Sequence, residues 1–484
     1  MSSGFAVDSG VLLVGILLLV GVVGSGLAAR FRIPSLLLFL GLGMLVADDG
    51  LALVRFNDAA LTQNIATVAL VVILFEGGLG TDPRAFRSAG IPAGFLATVG
   101  VVITAGLVAG SAWLLLGLEP VTALLLGSVV ASTDAAAVFA ALRSEPLPQR
   151  TQRLLQLESG MNDPVAVLLT IGMVEVWRGD PSAADWTVFL AAQLGLGVVA
   201  GLGVGWAARR LIALLTGPAA SSLGVITLAI AAISYGTAAI CGGSGFLAVY
   251  LTGVVLAGAP RSARGVLYFH EGLAATAQSV LFLVLGLLVF PSRLVDNLAT
   301  AILVAAVLIL LARPLAVVSI LAWSKTPIRE MAVISWGGLR GAVPVVLATI
   351  PFTAGHPDGS LIFDITFVVV VLSVAVQAPT VGALARRLGV STEARTSVRP
   401  EIVPVDALGA DLVEITIPDG SPLDAIALRD SPPPGGSRVA VIRRADDTIV
   451  PDGDTRLSAG DVLLVIAPRS DDLDAMERWT HDDV

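Results

Sequence analysis

Residues 158–164 read Glu-Ser-Gly-Met-Asn-Asp-Pro inside an apolar run. If that run is helical, Glu158 and Ser159 lie about one turn before Asn162 and Asp163. One face then presents two carboxylates, a hydroxyl and an amide. Pro164 has no N–H to give the carbonyl of Gly160, which leaves a further oxygen beside the acids. Hard oxygen donors of this kind suit a monovalent cation, and the lack of soft ligands argues against a transition metal. A carboxylate confined in a cavity can also take a proton. An acid that accepts either ion, one at a time, is a physical basis for exchange.

Four more ionisable residues stand in apolar runs: Glu76, Asp134, Arg313 and Arg340. An ionisable group at bilayer depth is expensive and is a functional-site hypothesis by default. Glu175 lies near a run's end and reads as interfacial, and Glu76 reads as structural. Asp134 closes the polar run Ser132-Thr133-Asp134, whose side chains can satisfy backbone groups freed from a helix ladder. Arg340 sits in Gly337-Gly338-Leu339-Arg340-Gly341-Ala342-Val343-Pro344, where three glycines and a proline predict an interrupted helix. The two interruptions are seven segments apart, the spacing of an inverted six-helix repeat with one helix between the halves. That pattern points to a secondary transporter with its site where broken helices meet. Glycine-rich helix packing explains the glycines alone, but not the charges.

The rest of the chain must hold these groups in a membrane. Of 484 residues, 55% are hydrophobic and 14% charged, against about 25% charged in a soluble domain. Most of residues 9–390 forms continuous apolar runs able to cross a hydrocarbon layer of ~30 Å, and continuity excludes a transmembrane barrel. About thirteen segments follow: 9–29, 33–47, 62–80, 89–117, 121–142, 155–177, 186–208, 221–241, 245–260, 273–291, 297–322, 328–350 and 361–385. The first has no basic residues before it and reads as a retained helix, not a cleaved signal. With the N-terminus outside, cytoplasmic loops hold thirteen Arg and Lys, and outward loops hold only Arg55, Arg178 and Arg293. This is a positive-inside pattern, with the C-terminus in the cytoplasm. A lone Cys241 excludes an internal disulfide, and three scattered histidines leave little for zinc or haem, so no cofactor is expected.

The expected fold is therefore an all-α polytopic membrane protein with inverted repeats and two interrupted helices, followed by a small cytoplasmic α+β domain. The boundaries read as 1–390 for the membrane domain, 391–408 for a linker and 409–484 for the tail. From residue 400 onward the chain carries 18 Asp and Glu against 7 Arg. So acidic a tail does not hold nucleic acid by charge. Its order reads β-α-β-β-β-α: a strand at 411–417, a helix opening at Ser421-Pro422-Leu423-Asp424, strands near 437–444, 448–450 and 461–467, and a helix capped at Ser470.

Residues 9–390 resemble monovalent cation:proton antiporters of the NhaP type, related to animal sodium/proton exchangers. The likeness rests on Phe75-Glu76-Gly77-Gly78-Leu79, Ser132-Thr133-Asp134, Glu158-Ser159-x-x-Asn162-Asp163 and Gly337-Gly338-Leu339-Arg340-Gly341. It implies that Asp163 is the essential ion- and proton-binding carboxylate, with Asn162 shaping its site. Ser159 and the Thr133 carbonyl become ligands of a monovalent cation, with Glu158 nearby through water. Asp134 offsets exposed helix N-termini at its break, and Arg340 does the mirrored work for helix C-termini at the second break. Arg313 matches an arginine that pairs with the Glu158 position as a core salt bridge. Ala135 stands where many sodium exchangers have proline.

The tail resembles the C-terminal lobe of RCK (TrkA-type) regulatory domains through Gly453-Asp454-x-x-Leu457-x-x-Gly460-Asp461-Val462-Leu463-Leu464. That likeness implies dimerisation and a small, nucleotide-like effector, or a ligand-free dimerisation module, and it favours potassium over sodium. The whole then reads as a homodimeric antiporter of the plasma membrane exchanging K⁺, or Na⁺, for H⁺ in cation and pH homeostasis. A tail-gated potassium channel, or transport without proton coupling, is the alternative. A channel needs a filter of the Thr-Val-Gly-Tyr-Gly kind, and only Thr98-Val99-Gly100 is present. A hydrolase using Ser159 needs a base in reach. The histidines at 270, 356 and 481 fall in a cytoplasmic loop, an outer loop and the tail, so the chain does not read as an enzyme. The string Gly243-x-Gly245-x-x-Ala248 lies between hydrophobic spans and is a chance match to a dinucleotide fingerprint.

Overall fold

The computed structural model describes residues 8–30, 35–54, 56, 58–81, 83–134, 147–179, 182–214, 222–257, 263–390, 401–405, 410–418, 420–444, 447–468 and 479. The chain divides into two units, residues 1–392 and 393–484.

Among the described residues the regular elements of the first unit are all helical. Its elements are α1 (Asp8–Arg30), α2 (Ser35–Val46), α3 (Ala59–Leu79), α4 (residues 83–116), α5 (Pro120–Val130), α6 (Gln149–Gly179) and α7 (Ala183–Leu214). These are followed by α8 (Leu223–Ile240), α9 (Gly245–Ala257), α10 (Ala263–Leu287), α11 (residues 291–321), α12 (Ile328–Trp336), α13 (Ala342–Thr353) and α14 (residues 359–387). Among the described residues, seven helices are long and apolar enough to cross a membrane, and shorter apolar helices accompany them. Local chemistry sets several ends. Asp58 accepts a hydrogen bond from the Leu61 N–H at 2.8 Å to cap α3, and Pro120 opens α5, where its missing N–H costs nothing.

Both interruptions are present. Helix α5 ends at Val130, and residues 132–134 leave the helical ladder; residues 135–146, including Ala135, lie outside the described residues. Helix α12 ends at Trp336, and α13 begins only at Ala342. The repeat is visible in how helices cross. Gly43 of α2 lies against Gly286 of α10, and Gly78 of α3 against Gly253 of α9. Counting α5 and the interrupted α12–α13 each as one segment, these two crossings are related by a shift of seven. The π turns Leu96–Gly100 in α4 and Leu308–Ala312 in α11 are related by the same shift. A third π turn, Ser373–Gln377, lies in α14. Pro314 and Pro379 stand two residues past the ends of the second and third, where a missing N–H lets the ladder slip by one residue. Helix α10 begins ten residues before the expected segment 273–291, so His270 lies on a helix and not in a loop. It is fully buried, against the ring of Phe75 and 2.8 Å from Thr227 Oγ1.

The second unit holds a five-stranded antiparallel sheet in the order β1-β2-β5-β3-β4: β1 (Glu401–Val405), β2 (Ala410–Thr416), β3 (Arg438–Arg444), β4 (Asp447–Ile449) and β5 (Val462–Pro468). Val413, Ile415, Ile417, Leu463, Val465 and Ala467 alternate into its core beside Leu457 and Trp479. Two sequence expectations are corrected here. Residues 401–405 of the expected linker form an edge strand, with Pro404 opposite Asp411, an edge being where a sheet tolerates proline. The segment opening at Ser421 is a series of turns and not a helix. Its backbone pairs with residues 453–457 instead of itself: Ala425 N–H donates to Leu457, Leu428 to Thr455 and Arg429 to Gly453, while Ala425 takes a positive φ of 64°. The helix expected at Ser470 falls on residues outside the described set.

In the tail motif, Asp461 is buried and accepts Arg444 Nε and Nη2, both at 2.7 Å, and the Ser458 N–H at 2.9 Å. These bonds hold the Arg444 guanidinium protonated, above the ordinary arginine range.

Candidate functional site

The site forms where α6 passes the two interruptions. Glu158, Ser159, Asn162 and Asp163 are all buried on α6, which continues through Pro164 and so leaves the Gly160 carbonyl without its usual donor. Ser132 Oγ donates to Asp163 Oδ1. The hydroxyl of Thr133 accepts from Asn162 Nδ2 and lies 3.1 Å from Ser159 Oγ. Asn162 Oδ1 is buried with no hydrogen-bond donor among the described residues. Side-chain oxygens of Asp163, Ser159, Thr133 and Asn162 are thus gathered into one buried cluster with that of Ser132. Ser132 was not singled out from sequence, although it stands in the same polar run as Thr133.

Glu158 and Arg313, paired in the sequence reading, meet in the structure. Both Glu158 oxygens are held by Arg313, Nη1 to Oε1 at 2.5 Å and Nη2 to Oε2 at 2.9 Å. Both side chains are buried. The fork balances the charge of Glu158 in place. Gly338 makes room for this pair: a Cβ there would run into Arg313 Nε. Among the described residues no basic side chain pairs with Asp163, and no cluster of three His, Cys, Asp or Glu could hold a metal ion.

Arg340 departs from expectation. It crosses from its own interruption to the first, where Nη1 donates to the carbonyls of Ala131 at 3.1 Å and Ser132 at 2.7 Å. These lie just past the C-terminus of α5, where carbonyls lose their helical partners and favour a cation. Asp134 crosses the other way. Its backbone N–H donates to Leu339 O at 2.8 Å, and its carboxylate lies against Gly341, the residue that precedes α13. An acid there complements the helix N-terminus. Each charge therefore serves the broken helix of the opposite repeat. Glu76, half-buried on α3, stands within electrostatic reach of Glu271 and Asp134.

The family described as sodium/hydrogen exchanger, transmembrane, matches residues 14–387, and the TrkA-C domain matches residues 412–481. A protein of Alkalimonas amylolytica named K(+)/H(+) antiporter NhaP is 40% identical over 428 residues, covering 86% of this chain and 74% of its own. The K(+)/H(+) antiporter NhaP2 of Shewanella baltica is 36% identical over 479 residues, covering 95% and 81%. Among solved structures, the sodium proton antiporter MjNhaP1 from Methanocaldococcus jannaschii superposes with a TM-score of 0.69 at 22% identity, covering 79% of this chain and 99% of that one. At that identity the likeness speaks for the fold.

Proposed function

The chain belongs to the sodium/hydrogen exchanger family, and on that premise we propose that it exchanges a monovalent cation, K⁺ in preference to Na⁺, for H⁺ across the cell membrane. The observation that carries this reading is Asp163: a buried carboxylate facing hydroxyl and amide oxygens and paired with no basic side chain among the described residues. Arg313 is committed to Glu158, and Arg340 to backbone carbonyls. A bare carboxylate in such surroundings is costly. A cation held by Asp163, Ser159, Thr133 and Asn162 neutralises it, and so does a proton. Because one acid changes state, one cation exchanges for one proton and no net charge moves.

The names of the relatives support potassium as the cation, as does the TrkA-C match. The remaining parts of the reading are an N-terminus outside, a membrane domain of residues 1–390, and a cytoplasmic tail that dimerises and takes a small effector. The protein is a transporter and not an enzyme. The test is dequenching of a pH dye in proteoliposomes on addition of K⁺, Na⁺ or Li⁺. Cation-driven proton movement with K⁺ most effective, absent in Asp163→Asn, is expected. Equal activity in that variant overturns the reading.

A further inference from the structure

Two polar side chains of α14 have no part in the site above. Ser373 and Gln377 bound the π turn of that helix, and both are buried. Ser373 Oγ accepts from the backbone N–H of Arg340 at 3.0 Å and donates to Gln377 Oε1 at 2.6 Å. Gln377 Nε2 donates to the carbonyl of Trp336 at 2.9 Å, and Trp336 Nε1 donates to Thr380 Oγ1 at 2.9 Å. Trp336 ends α12 and Arg340 stands near the start of α13, so one helix grips both sides of the second interruption. Without these side chains a buried carbonyl and a buried N–H at the break would lack partners.

The bonds continue to the acid. Arg340 Nη1 reaches Ser132 O, and Ser132 Oγ reaches Asp163. The repeat gives this arrangement a meaning, because α14 is the counterpart of α6. Helix α6 sets Ser159, Asn162 and Asp163 against the first break, and α14 sets Ser373 and Gln377 against the second. Only one of the two faces carries an acid. The other has nothing to titrate and no ion to release, so it can keep its hydrogen bonds in every state of exchange.

We propose that Ser373 and Gln377 are positioning residues for cation binding. By holding the backbone at Arg340 they fix where its guanidinium meets the Ser132 carbonyl, and through it the placement of the Ser132 hydroxyl and neighbouring oxygens around a cation at Asp163. This rests on the exchange reading above. The contribution acts through geometry, so conservative replacements that keep the hydrogen bonds keep the function.

The test uses full-length protein in proteoliposomes, reading the K⁺ concentration for half-maximal dequenching and the maximal rate separately. Loss of a buried hydrogen bond predicts that Ser373→Ala raises half-saturation about tenfold with the maximal rate nearly retained. Ser373→Thr, which keeps the hydroxyl, should stay near wild type, and Gln377→Met should shift half-saturation in the same direction by less. Ser132→Ala combined with Ser373→Ala should give less than the product of the single effects, because both act on one chain of bonds. An active wild type with unchanged half-saturation in Ser373→Ala and Gln377→Met overturns the proposal alone, as do independent, multiplying effects in the double variant. Should Ser373→Ala not fold, Gln377→Met decides by the same reading. A wild type with no cation-driven signal overturns the exchange reading and this proposal with it.

Discussion

The backbone N–H of Asp134 donates to the carbonyl of Leu339 at 2.8 Å, so the two interrupted stretches are hydrogen-bonded directly to each other. Around that contact each stretch receives a charge from the other: Asp134 against the start of α13, Arg340 against the end of α5. The polar groups released by breaking two helices satisfy one another, which lets irregular backbone exist inside an apolar bundle. The crossing also brings Ser132 and Thr133 to the buried face of α6.

Gly341→Ala should therefore be severe for its size. A methyl there runs into the Asp134 carboxylate, and forcing an atom into a packed core costs about 1–3 kcal/mol. Proteoliposome assays should show most of the exchange lost while size-exclusion profiles still report assembled protein. Wild-type exchange in this variant would show that the crossing is not needed.

The Glu158–Arg313 fork should stabilise the protein mainly by mutual dependence. Removing one partner strands a buried charge, at a cost of about 3–5 kcal/mol. Glu158→Leu or Arg313→Met alone should lower the thermal midpoint in detergent sharply, and the double variant should recover much of the loss. Additive losses in the double variant would contradict a pairwise role.

The proposed competition of cation and proton for one carboxylate predicts the pH response. Below the pH at which Asp163 takes its proton, the half-saturating K⁺ concentration should rise about tenfold per unit of acidification, with the maximal signal regained at saturating K⁺. A half-saturation independent of pH across the active range would be incompatible with competition.

The tail offers a separate check. Asp461 accepts two bonds from Arg444 and one from Ser458. Asp461→Ala leaves those donors short of partners, and losing hydrogen bonds to a charged group costs about 1.5–3 kcal/mol each. Hydrogen exchange on the full-length protein should quicken at residues 438–444 and 462–468 and leave residues 149–179 unchanged. Unaltered protection in the tail would mean the motif has no structural role.

Much of the membrane fold was legible because charge and proline in apolar runs are costly, and Asp134 and Arg340 marked where the ladder had to change. The uncharged partners were silent. Ser373 and Gln377 carry too little desolvation cost to stand out in a helix, and Ser132 was overshadowed by its neighbours Thr133 and Asp134. Asp364, buried on α14 and bonded to Arg293 and Asn297, does not stand out inside a strongly apolar run. His270 reads as a loop residue because the polar pair His270-Glu271 lowers local hydropathy and shifts the apparent start of α10. In the tail, Ser421-Pro422-Leu423-Asp424 carries helix-start chemistry, yet pairing with residues 453–457 supplies the same backbone with tertiary partners, which override local propensity.

The most direct test of the central claim is to count protons released as K⁺ is titrated into unbuffered, detergent-solubilised protein on the acid side of its working range, with binding followed by calorimetry. About one H⁺ should leave for each K⁺ bound, and none should leave in Asp163→Asn. Binding of K⁺ with no proton release at any pH, or undiminished release in Asp163→Asn, would contradict an exchange site built on this carboxylate.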